Sequence, residues 1–233
     1  MNDKYKQIPF FCIHLMNETL REESILNLQE TLQHPIQSIE AVHGLSFLLT
    51  YPNFPRRHPF ELIAKERGIS AEPGKFVSNA GEIGCLLSHV SILYHANQQN
   101  IPYILIFEDD AEVSSNLATV NAFLEKIDAD FKQWDFLILG ANEWVQSYPI
   151  DSAVQQIQRF WGTHALLLSQ RAIQAVLATH KQLQSEGFAY PADWLYAKSI
   201  QEFSLKVYGP TDPKSLFRQI PGFVSAINGK VRQ

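Results

Sequence analysis

Tyr103-Ile104-Leu105-Ile106-Phe107-Glu108-Asp109-Asp110 is the stretch on which the fold turns. Five consecutive apolar residues follow Pro102, and three acids close the run. An unbroken apolar run of this length predicts a strand covered on both faces, as in a parallel sheet packed between helix layers. Side chains alternate along a strand and its extension, so Glu108 and Asp110 should share one side while Asp109 faces the other.

The same logic extends outward. Ile8 to Leu15 reads as a first buried strand. Asn17 can cap the helix that follows, with Glu18, Glu22 and Glu23 in its first turns and Ile25, Leu28 and Leu32 at helical spacing. Pro35 ends that helix, and Ile36 to Val42 reads as a second strand closed by Gly44. Pro52, Pro55 and Pro59 make Tyr51 to Pro59 a loop; a short helix is expected from Phe60 to Arg67, with a break at Pro73-Gly74. Ser78 or Asn79 starts a long helix carrying Ile83, Leu86, Leu87, Val90, Leu93 and Tyr94 on one face. Beyond the acids, helices are expected over Leu117 to Ile127, Ser169 to Lys181 and Ala192 to Ser199. Strands are expected over Asp135 to Leu139, within Gln158 to Leu168, and over Ser204 to Tyr208; Pro210, Pro213 and Pro221 make the remainder irregular. Alternating strands and helices predict an α/β sandwich with a mainly parallel central sheet flanked by helices. In such sheets ligands bind at the carboxyl ends of strands, where Glu108-Asp109-Asp110 and Gly140-Ala141-Asn142-Glu143 both fall.

With 233 residues, 45% hydrophobic and 18% charged, the chain can build a full core. We expect one catalytic domain over 1–205 and a basic segment over 206–233, where Lys206, Lys214, Arg218, Lys230 and Arg232 face a single acid, Asp212. That segment reads either as a solvated tail or as one drawn to an anionic membrane surface. A net charge of -5 argues against general nucleic-acid binding. Cys12 and Cys85 lie in apolar stretches outside any C-x-x-C pair, which fits reduced thiols and a cytoplasmic setting. No apolar run reaches the roughly 18 residues a membrane span needs.

Three adjacent acids repel one another, and a hard divalent ion such as Mg2+ or Mn2+ relieves that repulsion while bridging to a diphosphate. The alternative is an acidic strand-end loop, or caps for the segment near Ser114. A metal-dependent phosphoester hydrolase or nucleotidyltransferase could use the same acids, although the chain has no Walker-type or G-x-G-x-x-G segment. An inactive sugar-binding relative is the third reading.

Two neighbouring motifs are more specific together than the triplet alone. Gly81-Glu82-Ile83-Gly84-Cys85-Leu86-Leu87-Ser88-His89 and Ile104-Leu105-Ile106-Phe107-Glu108-Asp109-Asp110 resemble the glycosyltransferase family 25 enzymes, bacterial lipooligosaccharide galactosyl- and glucosyltransferases. Ile13-His14-Leu15 with Arg21, Ala41-Val42-His43-Gly44, Gly162-Thr163-His164-Ala165-Leu166-Leu167-Leu168-Ser169 and Pro191-Ala192-Asp193-Trp194 resemble further family segments. His43 and His14 depart from the acid and the Asn frequent at those positions.

The resemblance implies a GT-A type nucleotide-diphospho-sugar transferase fold, a UDP-sugar donor, Mn2+ or Mg2+, inversion at the anomeric carbon, and a glycolipid or oligosaccharide acceptor near the inner membrane. It implies metal ligation by Asp110 and Glu108, with His164 as a third ligand from the later half of the chain. Nucleotide or donor contacts are expected from His14, Leu15, Arg21, Ala41, His43, Glu82, Ser88, His89 and Asp109. Inversion requires a carboxylate that takes the acceptor's proton. Asp193, among Tyr190, Trp194 and Tyr196, is the first candidate and Glu143, beside Trp144, the second. Trp134, Trp144, Trp161 and Phe188 are candidates for the acceptor side.

Overall fold

The computed structural model describes residues 5–15, 19–51 and 80–221. The expected cap at Asn17, the Pro-rich loop beyond Tyr51, the helix over 60–67 and the tail beyond Pro221 lie outside those residues. In chain order the elements are β1 (Phe10–His14), α1 (Thr19–Leu32), β2 (Ile36–Glu40), α2 (Gly44–Thr50), α3 (Ala80–Gln98), β3 (Tyr103–Glu108), β4 (Ala111–Val113), α4 (Leu117–Asp130), β5 (Phe136–Gly140), β6 (Glu143–Pro149), β7 (Val154–Trp161), β8 (Ala165–Ser169), α5 (Gln170–Ser185), α6 (Ala192–Glu202), β9 (Val207–Pro210) and β10 (Phe217–Gln219).

Eight strands form one sheet in the order β2-β1-β3-β8-β5-β9-β7-β6, and β10 pairs with β4 in a second, two-stranded sheet. Alternation along the central strands separates two cores. Phe11, Ile13, Ile104, Ile106, Phe136, Ile138, Leu166 and Leu168 point to the face that also buries residues of α3, α5 and α6. Phe10, Cys12, Leu105, Phe107, Leu137, Leu139, Ala165 and Leu167 point to the face covered by α1 and α4. This is the helix–sheet–helix architecture expected from the apolar runs.

The sheet is mixed, which corrects the expectation of mainly parallel pairing. β1 is parallel to β2 and β3, and β5 to β9. β8 runs antiparallel between β3 and β5, β7 is antiparallel to β9, and β6 to β7. The cause is the hairpin β6–β7, of which β6 is largely solvent-exposed and carries no apolar run to mark it as a strand. Asp151 makes its turn by accepting from the Ala153 and Val154 N–H groups at 2.7 and 2.9 Å. The chain therefore re-enters the sheet in the opposite sense.

Two more elements escaped the sequence patterns. Gly44 opens α2 rather than closing a strand, with the His43 side chain accepting from Ser46 N–H at the N-cap. The segment after Pro210, expected to be irregular, contains β10. The domain boundary drawn at 205 falls just before β9, which lies within the main sheet.

α3 must approach the exit of β2 closely. A Cβ on Gly84 would stand 2.5 Å from the Val42 carbonyl oxygen and 3.0 Å from Gly44 N, both backbone atoms. Ser88, one turn later, accepts from Val42 N–H at 2.8 Å and donates to the Gly84 carbonyl at 2.7 Å. Gly84→Ala should destabilise the protein by about 1–3 kcal/mol through overpacking, despite Ala's better helix propensity. Thermal unfolding checks this: Tm should fall by about 2–4 °C per kcal/mol lost, and an unchanged Tm would refute the close approach.

Candidate active site

The acidic strand end divides its side chains between the two faces of the sheet. Asp109 turns toward β1 and α1. It pairs with Arg21, accepts from Leu15 N–H at 3.0 Å, and lies 3.3 Å from His14 Nδ1. Arg21 and Asp109 are 4% and 6% exposed, so this is a buried ion pair and not a surface contact. His14, Leu15, Arg21 and Asp109, each expected near the nucleotide, thus form one cluster. Ala41 joins it through the backbone, its N–H donating to the His14 carbonyl at 2.8 Å. His43 stands apart as the exposed cap of α2.

Glu108 and Asp110 meet His164 on the opposite side. One ligand atom from each lies within 4.8 Å of the others. Asp110 Oδ2 accepts from Gln219 Nε2 at 2.8 Å, and its carbonyl accepts from Ile220 N–H at 2.7 Å. The β4–β10 ladder therefore braces the acidic turn. Glu108 accepts from the Thr163 hydroxyl. Its oxygens also lie 3.6 Å from His164 Nδ1 and 3.8 Å from His89 Nε2. Burial pushes the Glu108 carboxyl up, but the two neighbouring imidazoles, His164 first and then His89, outweigh it and hold the group well below its ordinary value.

His164 shows how well this trio fits a cation. Its Nε2 lies 3.2 Å from Asn142 Oδ1, which can only accept, so Nε2 carries the hydrogen. In the neutral ring Nδ1 then presents a lone pair. That atom is buried without a hydrogen-bond partner and faces the Glu108 carboxylate. A proton on Nδ1 or a cation between the groups relieves this contact. Asn142 plays the part that outer carboxamides and carboxylates play at metal sites, fixing the ring's tautomer and orientation. Two carboxylates and one imidazole suit a hard or borderline divalent ion such as Mg2+ or Mn2+. Gly162 makes room: its φ is +84°, and a Cβ there would stand 2.8 Å from Asn142 Nδ2.

A cleft of about 260 Å³ opens above Glu108 and His164, lined also by Glu82, Cys85, Asn142, Trp161, Thr163 and Asp193. Asp193, in the first turn of α6, accepts from Gly162 N–H at 3.2 Å and from Trp194 N–H at 2.8 Å. Burial raises its carboxyl above the ordinary value against those two donors, and the Glu108 charge adds to the rise. Glu82 is raised likewise, by burial first and then by Asp193. Trp161 forms one wall, with Trp194 edge-on to it at 5.6 Å and the Arg159 guanidinium 3.8 Å above the Trp194 ring.

The structure thus gathers Glu82, Glu108, His164 and Asp193 around one cleft, with Asp110 next to Glu108 and His164 and with His89 fully buried behind Glu108. Ser88 is buried in the α3–β2 joint. Glu143 begins β6, exposed and outside the lining of this cleft. Among the aromatics suggested for an acceptor side, only Trp161 lines the cleft. Trp134 packs on Tyr103 at the opposite end of β3, Trp144 donates to the Pro210 carbonyl, and Phe188 packs on Tyr190. Asn142 and Thr163 stand in the quoted Gly140-Ala141-Asn142-Glu143 and Gly162-Thr163-His164 segments without chemistry that marks them individually, and Gln219 has no signal in the sequence.

An acidic strand end over a cleft, within a mixed α/β sheet, is an arrangement suited to holding a metal and a charged substrate. The chain belongs to glycosyltransferase family 25 (LPS biosynthesis protein), whose family model matches residues 7–196. It is 28% identical over 138 residues to the lacto-N-neotetraose biosynthesis glycosyltransferase LgtB of Neisseria meningitidis, a match covering 55% of this chain and 48% of that protein. It is 34% identical over 64 residues to the human inactive glycosyltransferase 25 family member 3, covering 27% of this chain and 11% of that protein. Less than half the length of each relative is therefore matched. A solved glycosyltransferase involved in glycosylation of the major capsid of PBCV-1 aligns with 94% of this chain and 95% of its own, at TM-score 0.46 and 13% identity. Apo UDP-glucose pyrophosphorylase aligns at TM-score 0.42 and 7% identity over 91% of this chain and 92% of its own. Among the described residues, no helix is long and apolar enough to cross a membrane.

Removing one partner of a buried ion pair strands the other charge. Arg21→Met should therefore destabilise the protein by about 3 kcal/mol, measured by denaturant unfolding. A change under about 0.5 kcal/mol, the range of ordinary surface substitutions, would show that Asp109 does not depend on Arg21.

Proposed function

We propose that this chain is an inverting glycosyltransferase that moves a hexose, galactose or glucose, from a UDP-sugar to a lipooligosaccharide or lipopolysaccharide glycan. The observation that carries the reading is the convergence of Glu108, Asp110 and His164 beneath the cleft that holds Asp193. Family membership supports the reaction class. The similarity to LgtB, a lacto-N-neotetraose biosynthesis glycosyltransferase, supports a glycan acceptor.

Glu108, Asp110 and His164 would hold Mn2+ or Mg2+, with Asn142, Thr163 and Gln219 fixing their orientations. The bound ion supplies positive charge that neutralises the diphosphate as it leaves. Asp193 accepts the proton of the attacking hydroxyl. Each of its oxygens keeps a lone pair beyond the one used by Gly162 or Trp194 N–H. The backbone bonds aim the carboxylate, and the raised affinity of Asp193 for a proton makes it a stronger base than an exposed Asp. Trp161 offers an apolar ring face on which a sugar's C–H face can stack. The buried Asp109–Arg21 pair holds the end of β1 beside the acidic turn, on the expected uridine edge.

Asp110→Ala should abolish transfer and remove the metal dependence of UDP binding, read by calorimetry with and without Mn2+. Full transfer by that variant would sink the ligand assignment. Asp193→Asn should retain donor binding and lose turnover by about 10²-fold or more. Unchanged turnover would shift the base to another carboxylate. A base must be deprotonated to act, so activity in the wild type should rise with pH through the Asp193 titration. Because that group is raised, the acid limb of kcat/KM should lie above the ordinary Asp value of about 3.9. A limb at or below that value would contradict the assignment.

A further inference from the structure

Glu108 belongs to a second cluster besides the one beneath the cleft. Cys85 and His89, one turn apart on α3, present Sγ and a ring nitrogen that lie with a Glu108 oxygen within 4.8 Å of one another. His89 is 0% exposed, and its Nε2 has no hydrogen-bond partner although it points to Glu108 Oε1 at 3.8 Å. Its other nitrogen, Nδ1, lies 3.1 Å from the hydroxyl of Tyr196, which is itself fully buried. That hydroxyl can accept as well as donate, so His89 can hold its hydrogen on Nδ1 and turn the Nε2 lone pair toward Cys85 and Glu108.

From this geometry we infer a second metal site, formed by Cys85 Sγ, His89 Nε2 and Glu108 and selective for a thiophilic divalent cation of the Zn2+ class. A thiolate and an imidazole are soft and borderline ligands, which favour Zn2+ over Mg2+ or Mn2+. The neighbouring trio of Glu108, Asp110 and His164 has the opposite preference. The ligand atoms need to draw in by about 1 Å to reach tetrahedral spacing, and α3 already presents Cys85 and His89 at i and i+4. The thiol proton leaves to solvent on ligation. Tyr196 then accepts from Nδ1–H and fixes the ring, the second-sphere bond that ligating histidines usually make. Three protein ligands leave a fourth position, and Cys85 lines the cleft from which a water or substrate atom can fill it.

The two sites share Glu108. A cation held by Cys85 and His89 draws that carboxylate away from Asp110 and His164, so Zn2+ should oppose Mn2+ rather than replace it. This inhibitory consequence rests on the proposed function; the ligation does not.

Co2+ is the probe, because only a cobalt–thiolate bond produces an intense charge-transfer band in the near ultraviolet. Titrating the wild-type protein with Co2+ should produce that band, and equimolar Zn2+ should abolish it. Cys85→Ser, at a half-buried position that tolerates the change, should lack the band while keeping the wild-type far-ultraviolet circular dichroism. In transfer assays with Mn2+, Cys85→Ser should raise the half-inhibitory Zn2+ concentration by about tenfold or more. A wild-type protein without the band, or a Cys85→Ser band equal to wild type, would overturn the site. A band in a protein that transfers no sugar would leave the site standing and overturn the transferase reading instead.

Discussion

A carboxylate taken out of water must be met by hydrogen-bond donors, a cation or a proton, and residues 108–110 place three carboxylates together where a buried strand ends. Much of the surrounding structure answers that demand. Asp109 is met on the α1 face by Arg21, His14 and the Leu15 amide. Glu108 is met on the other face by Thr163, with His164 and His89 close by. Asp110 is held from the C-terminal side by Gln219 and the Ile220 amide. These partners come from five separate stretches of chain, so the triplet ties the end of β1, α1, α3, the start of β8 and β10 to one point. The pleat of β3 decides which acid faces which partner, because adjacent side chains must take opposite faces.

The mixed sheet follows from bringing His164 to Glu108. β8 lies beside β3 and runs against it, which places its amino end, and His164 just before it, at the carboxyl end of β3. A parallel neighbour would have delivered its amino end to the far side of the sheet. The β6–β7 hairpin that reverses the chain also supplies Trp161, and the turn before β6 supplies Asn142. One change of direction thus sets a candidate ligand, its outer-sphere partner and a cleft wall together.

The sequence read well wherever apolar periodicity was strong. The cores of β1, β3, β5, α3 and α5 follow directly from their runs and stripes, and so does the strand-end placement of Glu108 to Asp110. It read poorly where elements are short or exposed. β4 and β10 have three residues each, and β6 alternates with too little burial to stand out. Site residues followed the same division. Carboxylates and histidines carry chemistry that is recognisable in the sequence itself. Asn142 and Gln219 act through the groups they orient, and those contacts span 22 and 109 residues of chain. Nothing in the local sequence around Arg21 marks it as buried; its burial depends on the position of Asp109 in the folded chain.

The central claim is that Glu108, Asp110 and His164 bind one divalent ion on which a nucleotide diphosphate rests. The most direct measurement is anomalous diffraction from crystals grown with Mn2+ and UDP. A single strong manganese peak should lie among Glu108, Asp110 and His164 Nδ1, with the diphosphate completing its coordination. A UDP molecule bound in the cleft with no manganese peak at those residues, or with the peak elsewhere, would contradict the account.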